Sequence, residues 1–390
     1  MCIRDSPTGR YFLIATLALL ALGVVMVSSA VASVVEPGVW YARVDLRHAA
    51  YAVLGAVLLL TLWRIDYRLL ARGRRVPVIP AVMLAAALLT AVMVFIPGVG
   101  YAVGGYHRWI RIGPPQYAIG FQPSELLKVT LVVFLAAWLS RPATDIRRLR
   151  TFLAAVGVIC VCTAIVVTQD LGTAVVMVVA ATVTLVLAGA RWRYVGALTA
   201  AGAAGFYAFI VRSPHRMLRI AAMLDPYSAT NPSAYQPRQS LLAILTGGWF
   251  GRGPGNGICK QGFLPEDSTD FIFAVFCEEW GFAGALLLIA LVGTWVFLAR
   301  RSAVRSGEPF GRLLAGSLGF LVAVQAVLHI AVDVVAAPPT VMGLPFISAG
   351  GTALLTATAA AAVIASVSAH PSHASEELSS GAPRLAARVE

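Results

Sequence analysis

The sequence predicts an all-α fold: a polytopic membrane helical bundle of about ten transmembrane helices, with a large extracytoplasmic loop between helices 7 and 8. Composition is the first observation behind this prediction. Of the 390 residues, 59% are hydrophobic and only 12% are charged, whereas soluble domains are about 45–50% apolar and about 25% charged. The second observation is that the apolar residues come in long runs, separated by basic or Gly/Pro-rich segments. A soluble enzyme, a disordered chain and a secreted disulfide scaffold are therefore excluded.

Ten apolar runs approach the roughly 20 residues that a helix needs to cross the membrane. They cover residues 11–35, 48–63, 76–97, 123–140, 151–168, 173–190, 194–211, 271–299, 313–335 and 350–369. The first run contains a possible signal-peptidase site at 29–32, but it is longer than the core of a signal peptide, so we expect a retained helix. Residues 1–369 are predicted to form a single integral membrane domain, and residues 370–390 a disordered cytoplasmic tail.

The arginines in the short loops predict the orientation. Loops 64–75, 141–150, 191–193 and 300–312 carry 5, 4, 2 and 4 Arg, and the alternate loops 36–47, 98–122, 169–172 and 336–349 carry 2, 2, 0 and 0. Because basic residues favour cytoplasmic loops, both termini are expected in the cytoplasm and the large loop, 212–270, outside. The net charge of +12 then reflects topology, and no nucleic-acid partner is expected.

The five cysteines form no CxxC pair and no Cys/His cluster. Cys160 and Cys162 lie inside an apolar run, where cysteine behaves as a small hydrophobic residue. We therefore expect neither a disulfide framework nor a structural metal site.

The ionisable residues of the apolar segments gather at the predicted outer ends of the helices. They are Glu125, Lys128, Asp170, Asp270, Glu278, Glu279, His329 and Asp333. Such residues mark functional sites in membrane proteins because apolar side chains would cost less there. Any chemistry is therefore expected to face outward.

Two interpretations are open for each of the main acidic residues. Glu125 and Lys128 share one helix face, either as a helix-dipole partner and a lysine that extends to the interface, or as a pair that lines a polar cavity. Asp170 either caps the next helix or places a carboxylate at the cavity entrance. Asp270 either caps the eighth transmembrane helix or takes part in catalysis.

The large loop combines three acidic residues, Glu266, Asp267 and Asp270, with several Arg and Lys260. This mixture suits a substrate that has an anionic group and a hydroxyl to deprotonate. Residues 241–246 are too few to span the membrane and are typical of a re-entrant or interfacial helix. The run PFISAGG at 345–351 begins the last helix with glycines that permit close backbone approach.

Taken in order, these stretches resemble the shape, elongation, division and sporulation (SEDS) family of bacterial membrane glycosyltransferases. The matching motifs are GVVMVSSA at 23–30, RWI at 108–110, QPSELLK at 122–128, DLGTA at 170–174, YQPRQS at 235–240, LPEDSTDFIFAV at 264–275, EEWG at 278–281 and PFISAGG. The first of these leans towards the division branch (FtsW-like). The chain departs from the family at His329, where an Asn is common.

The resemblance implies ten helices in the bacterial cytoplasmic (inner) membrane and polymerisation of lipid II, the undecaprenyl-linked disaccharide-peptide, into the glycan strands of the cell wall for division or elongation. A class B penicillin-binding protein is the implied transpeptidase partner, together with other division or elongation proteins. The family's catalytic aspartate corresponds to Asp270, which as a general base would contribute about 10²–10⁴-fold.

The expected substrate-binding residues lie in these motifs or are basic groups of the outer face. They are Arg108, Trp109, Glu125, Lys128, Asp170, Arg219, Gln236, Gln239, Ser240, Lys260, Glu266 and Ser348. No cofactor is assigned, and a divalent cation such as Mg²⁺ at the diphosphate is left open. The alternatives are a flippase for the same lipid and a non-catalytic scaffold for the transpeptidase.

Overall fold

The computed structural model describes residues 7–32, 43–73, 76–103, 106–113 and 119–370. These residues form helices and one small antiparallel sheet. In chain order the elements are α1 (Pro7–Val31), α2 (Val44–Leu62), a 3₁₀ turn (Tyr67–Ala71), α3 (Val78–Met93), β1 (Gly100–Val103), β2 (Tyr106–Ile112), β3 (Ile119–Phe121), α4 (Pro123–Leu139), α5 (Leu149–Val167), α6 (Leu171–Leu187), α7 (Trp192–Val211), α8 (Pro214–Leu224), a 3₁₀ turn (Pro232–Ala234), α9 (Tyr235–Gly247), α10 (Ile272–Arg305), α11 (Pro309–Asp333) and α12 (Gly351–Ala369).

The helices confirm a polytopic helical membrane protein. Seven of the described helices are long and apolar enough to cross a membrane: α1, α2, α5, α7, α10, α11 and α12. The other predicted runs fall on α3, α4 and α6, which have 16, 17 and 17 residues and so reach only about 25 Å at 1.5 Å per residue. The count of ten crossings stays a prediction. The predicted tail, from 371 onward, and residues 1–6 lie outside the described residues.

The buried centre and the edge of the bundle differ sharply. The most apolar window of α12 is 78% buried, and that of α7 only 11%. Small residues dominate α12 (GTALLTATAAAAVIASVSA), and they let neighbouring helix backbones approach closely. Helix α7 therefore lies at the edge of the bundle, where few of its side chains have protein neighbours.

Four connections meet at one end of the bundle, which we call the loop end: residues 98–122, 168–170, 212–271 and 334–350. Arg108 Nε donates to the Gln169 carbonyl (2.7 Å), and Arg219 Nη1 donates to the Pro339 carbonyl (3.2 Å). The Ala349 amide donates to the Ser268 carbonyl (2.9 Å). These contacts join the first connection to the second and the third to the fourth.

The first of these connections carries a three-stranded antiparallel sheet, β1-β2-β3, which the all-α prediction did not contain. Its strands are short, with a register irregularity between Tyr101 and Ala102. Arg108 is the extra residue at this irregularity, because Tyr101 pairs with Trp109 and Ala102 with His107. Of the two predicted site residues of β2, Arg108 lines the cavity described below and Trp109 does not.

Helix α10 is kinked at Gly281, whose φ of 68° lies in the left-handed region. The backbone of residues 248–253 runs alongside the kink and satisfies the groups that it frees. The Arg252 amide donates to the Glu278 carbonyl (3.0 Å), and the Phe282 amide donates to the Gly248 carbonyl (2.9 Å). This is the arrangement required of a broken helix at membrane depth. Helix α9, which ends just before residues 248–253, contains the predicted 241–246 segment.

Candidate functional site

A cavity of about 740 Å³ opens at the loop end. Its walls come from β2, the α5–α6 turn, α7, α8, the last turns of α11 and the segment after it. The polar side chains that line it are Tyr106, Arg108, Thr168, Gln169, Asp170, His215, Arg216, Arg219, Ser233 and Thr340. The volume and the mixture of a large apolar wall with a few convergent polar groups are typical of a ligand site.

Three arginines surround this cavity. Arg108 also lies over the Tyr106 ring, with its guanidinium carbon 4.9 Å from the ring centroid. Arg216 lies 3.7 Å over the Phe209 ring and donates to the Phe209 carbonyl (3.3 Å). Together with the bond from Arg219 to Pro339, these contacts hold each guanidinium through a carbonyl or an aromatic ring, and leave its charge available. Guanidinium groups held in this way suit binding of a phosphate or diphosphate.

Asp170 fulfils both of its predicted interpretations. It is the N-cap of α6, and its carboxylate accepts from the Thr173 amide (3.1 Å) and the Thr173 hydroxyl (2.8 Å). The same carboxylate also lines the cavity. The capping hydrogen bonds thus fix the negative charge of the Asp170 carboxylate at the cavity wall.

Asp270 lies in a tight turn directly before α10. Glu266 adopts a φ of 59°, and its carbonyl accepts from the amides of Thr269, Asp270 and Phe271. The Ser348 hydroxyl, from the PFISAGG motif, donates to the Thr269 carbonyl (2.7 Å). Ser348 therefore fixes the backbone next to Asp270.

The Asp270 side chain is 8% exposed and forms no ion pair or hydrogen bond within the described part of the chain. The predicted alternative of a helix cap is wrong, because the N-cap of α10 is Phe271. Asp270 does not line the cavity, but Arg108, Arg219 and Asp170, which do, all act on it electrostatically. Its carboxyl therefore lies within electrostatic range of these residues of the cavity wall.

Burial raises the pKa of Asp270 to about 8, and the negative charges of Glu266 and Asp170 act in the same direction. Arg108 and Arg219 oppose this by favouring the carboxylate. Burial likewise raises the pKa of Asp267, to about 6. A pKa near the working pH is what a general base requires, since the group must be partly ionised and still basic.

Glu125 and Lys128 form a buried ion pair inside the bundle. Lys128 Nζ is 2.7 Å from Glu125 Oε2, with the two side chains 4% and 5% exposed. The same ammonium donates to Gln325 Oε1 of α11 (2.6 Å), and Gln325 Nε2 donates to the Gly343 carbonyl (3.0 Å). The predicted extension of Lys128 to the interface is therefore wrong. The pair is also absent from the residues lining the cavity, contrary to the other interpretation, and it joins α4 to α11.

Lys260 is held elsewhere and does not reach the cavity. Its Nζ lies 2.8 Å from Glu279 Oε1 and 2.8 Å from the Ser29 carbonyl, and the side chain is 2% exposed. Neighbouring Glu278 accepts from the amides of Ile258 and Cys259. The predicted role of Lys260 at an anionic substrate is not supported by this placement, because its charge is already paired with Glu279.

The remaining predicted residues lie around the cavity without lining it. Ser240 is fully buried and donates to the Asp333 carbonyl (2.7 Å), so it joins α9 to α11. Gln236 and Gln239 are half-buried on α9, and Glu266 is exposed. The ring of Trp109 packs over Gly120 of β3. Their proposed contacts with substrate stay predictions.

Sequence reasoning missed Arg216 and His215, which line the cavity from α8. Both lie within one turn of Arg219, so a helical reading of 214–224 would have grouped them on one side of a helix. Gln169, which also lines the cavity, was missed as well. Its only sequence signal is its position directly before Asp170. No cluster of three His, Cys, Asp or Glu suited to a metal ion exists among the described residues.

This chain resembles known proteins over most of its length. The FtsW/RodA/SpoVE family, described as "Cell cycle protein", matches residues 10–373. The "Probable peptidoglycan glycosyltransferase FtsW" of Nitrosococcus halophilus is 37% identical over 91% of this chain and 90% of that protein. The "Stage V sporulation protein E" of Bacillus subtilis is 32% identical over 94% and 99%.

A solved structure shares the fold. One chain of the structure described as "Structural coordination of polymerization and crosslinking by a peptidoglycan synthase complex" superposes with a TM-score of 0.73 at 25% identity, over 92% of this chain and 96% of that chain. With the family match and the relatives above, it follows that this chain belongs to the FtsW/RodA/SpoVE family, as the resemblance in its motifs indicated.

Proposed function

We propose that this chain is a peptidoglycan glycosyltransferase that polymerises lipid II on the outer face of the bacterial cytoplasmic membrane. The observation that carries the proposal is the buried Asp270 carboxyl beside a cavity lined by three arginines. The names of the FtsW relatives support the same activity. The arginine-rich loops 64–75, 141–150, 191–193 and 300–312 support cytoplasmic termini, with the cavity at the outer leaflet.

Asp270 is the general base of the proposed reaction. Its carboxylate takes the proton of the acceptor sugar hydroxyl while the hydroxyl oxygen attacks the anomeric carbon of the donor. The bond from that carbon to the diphosphate oxygen breaks, and undecaprenyl diphosphate leaves with the bonding electrons. The proton then passes from Asp270 to solvent, which restores the carboxylate for the next addition.

The arginines stabilise the leaving group. Negative charge accumulates on the diphosphate as the glycosidic bond breaks, and Arg108, Arg216 and Arg219 supply fixed positive charge around the cavity. Asp170 lies among them and leaves a net positive surface. The apolar wall from α6 and α7 includes Val175, Phe206 and Ile210. Because α7 lies at the edge of the bundle, this wall suits the polyprenyl chain.

A class B penicillin-binding protein is the proposed partner, with other division or elongation proteins around it. The support is the structural likeness to a chain of a peptidoglycan synthase complex in which polymerization and crosslinking are coordinated. Co-purification of the full chain with its cognate transpeptidase from the same membrane tests the partnership. Failure of the folded chain to co-purify with this transpeptidase would contradict the partnership.

The test of the activity uses the purified protein with its partner and labelled lipid II. Asp270→Asn is expected to reduce glycan polymer by about 10²–10⁴-fold, because it removes the base. Asp267→Asn is the matched control, since it neutralises a neighbouring acidic residue in the same turn, and it is expected to polymerise normally. Equal polymer from Asp270→Asn and wild type would refute the assignment. Lipid translocation in liposomes without any polymer would favour a flippase instead.

A further inference from the structure

A buried histidine and aspartate lie one helical turn apart at the loop end of α11. His329 Nε2 is 3.6 Å from Asp333 Oδ2, and both side chains are fully buried. Asp333 Oδ2 also accepts from the Ala274 amide in the first turn of α10 (3.0 Å). Since α10 begins just after Asp270, the pair holds the helix end to which the proposed base is attached.

Hydrogen-bonding capacity determines which atoms carry protons. His329 Nδ1 lies 2.7 Å from the Met342 carbonyl, and because a carbonyl only accepts, Nδ1 carries the hydrogen. The other nitrogen of a neutral imidazole, Nε2, is then an acceptor, and an ionised Asp333 is acceptor-only as well. Their lone pairs would face each other in a buried site. Neither His329 Nε2 nor Asp333 Oδ1 has another hydrogen-bond partner among the described residues.

One additional proton removes this conflict, either as a neutral acid with a neutral imidazole or as a carboxylate with an imidazolium. The ionic form requires two charges to be desolvated in the bundle interior, which is costly even for a good pair. At 3.6 Å the two groups are also too far apart for the short charge-assisted bond that would offset this cost. The neutral form is therefore favoured.

The charged and titratable neighbours point the same way. Asp270 is close enough to act on Asp333 electrostatically, and so is the Cys277 thiol side chain on α10. The Glu125–Lys128 pair faces α11 from α4, one turn before His329, but its ammonium is already bonded to Glu125 and Gln325. A second carboxylate beside Asp270 is thus opposed by like charge.

We propose that His329 and Asp333 form a neutral pair, a neutral imidazole beside a protonated carboxyl, and that this pair positions Asp270 without adding charge beside it. The inference rests on the proposed role of Asp270 as the base. His329 and Asp333 are positioning residues, because they act through the first turn of α10 and the Met342 segment. This chain has His329 where an Asn is common in the family, and Asp333 is the partner of that histidine.

Asp333→Asn is the decisive variant. Its amide oxygen still accepts from Ala274, and the amide is neutral and close in shape to a carboxylic acid, so it reproduces the protonated acid. We expect lipid II polymerisation within about threefold of wild type, with the ascending limb of the pH–rate profile, which reports Asp270, unmoved. If Asp333 were ionised, the substitution would remove a negative charge near Asp270 and shift that limb to lower pH. Such a shift would overturn the proposal.

Asp333→Ala is the companion variant, because it removes the carboxyl that accepts from the Ala274 amide. We expect a loss of turnover of more than about tenfold without a shift of the pH limb. Wild-type turnover in this variant would refute the positioning role. If the variant does not fold, the Asp333→Asn profile and the infrared measurement below still decide.

Infrared spectroscopy reports the proton without relying on activity. In an Asp270→Asn background, which removes the other candidate acid of the site, the protein should show a protonated carboxylic acid band that disappears in Asp270→Asn/Asp333→Asn. The absence of that band at neutral pH would overturn the proposal. Failure of the proposed function is separate: wild type would then make no polymer, while this band would still report the proton on Asp333.

Discussion

Two sets of buried charges at the loop end behave differently. Lys260 with Glu279, and Lys128 with Glu125, are matched cation–carboxylate pairs at 2.8 and 2.7 Å, closed off from solvent. The arginines of the cavity are instead held by carbonyls and aromatic rings, and Asp270 by burial alone. Paired charges fix the positions of helices. Charges held by neutral groups keep their charge available for a ligand.

The largest effect is expected from breaking the Lys260–Glu279 pair. Glu279→Ala leaves the Lys260 ammonium buried without its carboxylate, which costs about 3–5 kcal/mol of stability. Thermal unfolding of the purified protein in detergent measures this as a lowered Tm. A double replacement, Lys260→Met with Glu279→Leu, should recover most of the loss. Unchanged stability of Glu279→Ala would show that the pair does not stabilise the fold, and would contradict the distinction between the two sets.

Lys128→Ala tests the second pair. We expect lower stability and weaker turnover, since both the ion pair with Glu125 and the bond to Gln325 are lost. Lys128→Met with Glu125→Gln, which removes both charges, should restore stability. If stability returns but turnover does not, the pair has a role in the reaction beyond its structural one. Wild-type kinetics for Lys128→Ala would show that Lys128 has no role in turnover.

Arg219→Gln tests the cavity set. A charge-assisted hydrogen bond to a diphosphate is worth about 1.5–3 kcal/mol, so we expect polymerisation to fall about 10–100-fold with little change in Tm. Arg212→Gln is a suitable control, because it lies outside the cavity lining and just before α8. Equal losses in both variants would indicate a general effect of surface charge.

The smallest expected effect is a shift in pH dependence. A general base works when deprotonated, so activity should rise with pH through the pKa of Asp270, about 8, and be lost as the pH falls below it. Arg108 favours the carboxylate. Arg108→Gln should therefore move the ascending limb to higher pH, and a limb that moves to lower pH would contradict the placement of Arg108 near Asp270.

The fold was largely predictable because crossing hydrocarbon forces the sequence into apolar runs that composition alone reveals. The sheet at 100–121 escaped prediction because its strands are short and lack sustained alternation of polar and apolar residues. Partners of the buried charges were not predictable either. Lys260 meets Glu279 and Ser29, and the last of these is more than two hundred positions away, so only tertiary packing brings it near.

For the site itself, local signals served well and distant ones did not. The cap at Asp170 follows from residues 170–173 alone, and it proved to be a cavity residue as well. Asp270 was identified by the family motif, but nothing local shows that Ser348 holds its turn or that Asp333 holds the next one. Nor does anything local show that Ser240, predicted to bind substrate, also joins α9 to α11.

The kink of α10 has a consequence for how freely this chain can vary. At Gly281 and Gly251 the two backbones lie so close that a side chain on either residue would collide with the other segment, and both have positive φ. Neither position tolerates alanine, although neither performs any chemistry. A mutational scan of the gene should therefore find these two codons as intolerant as that of Asp270, the proposed base, although the cause at the glycines is steric and not chemical.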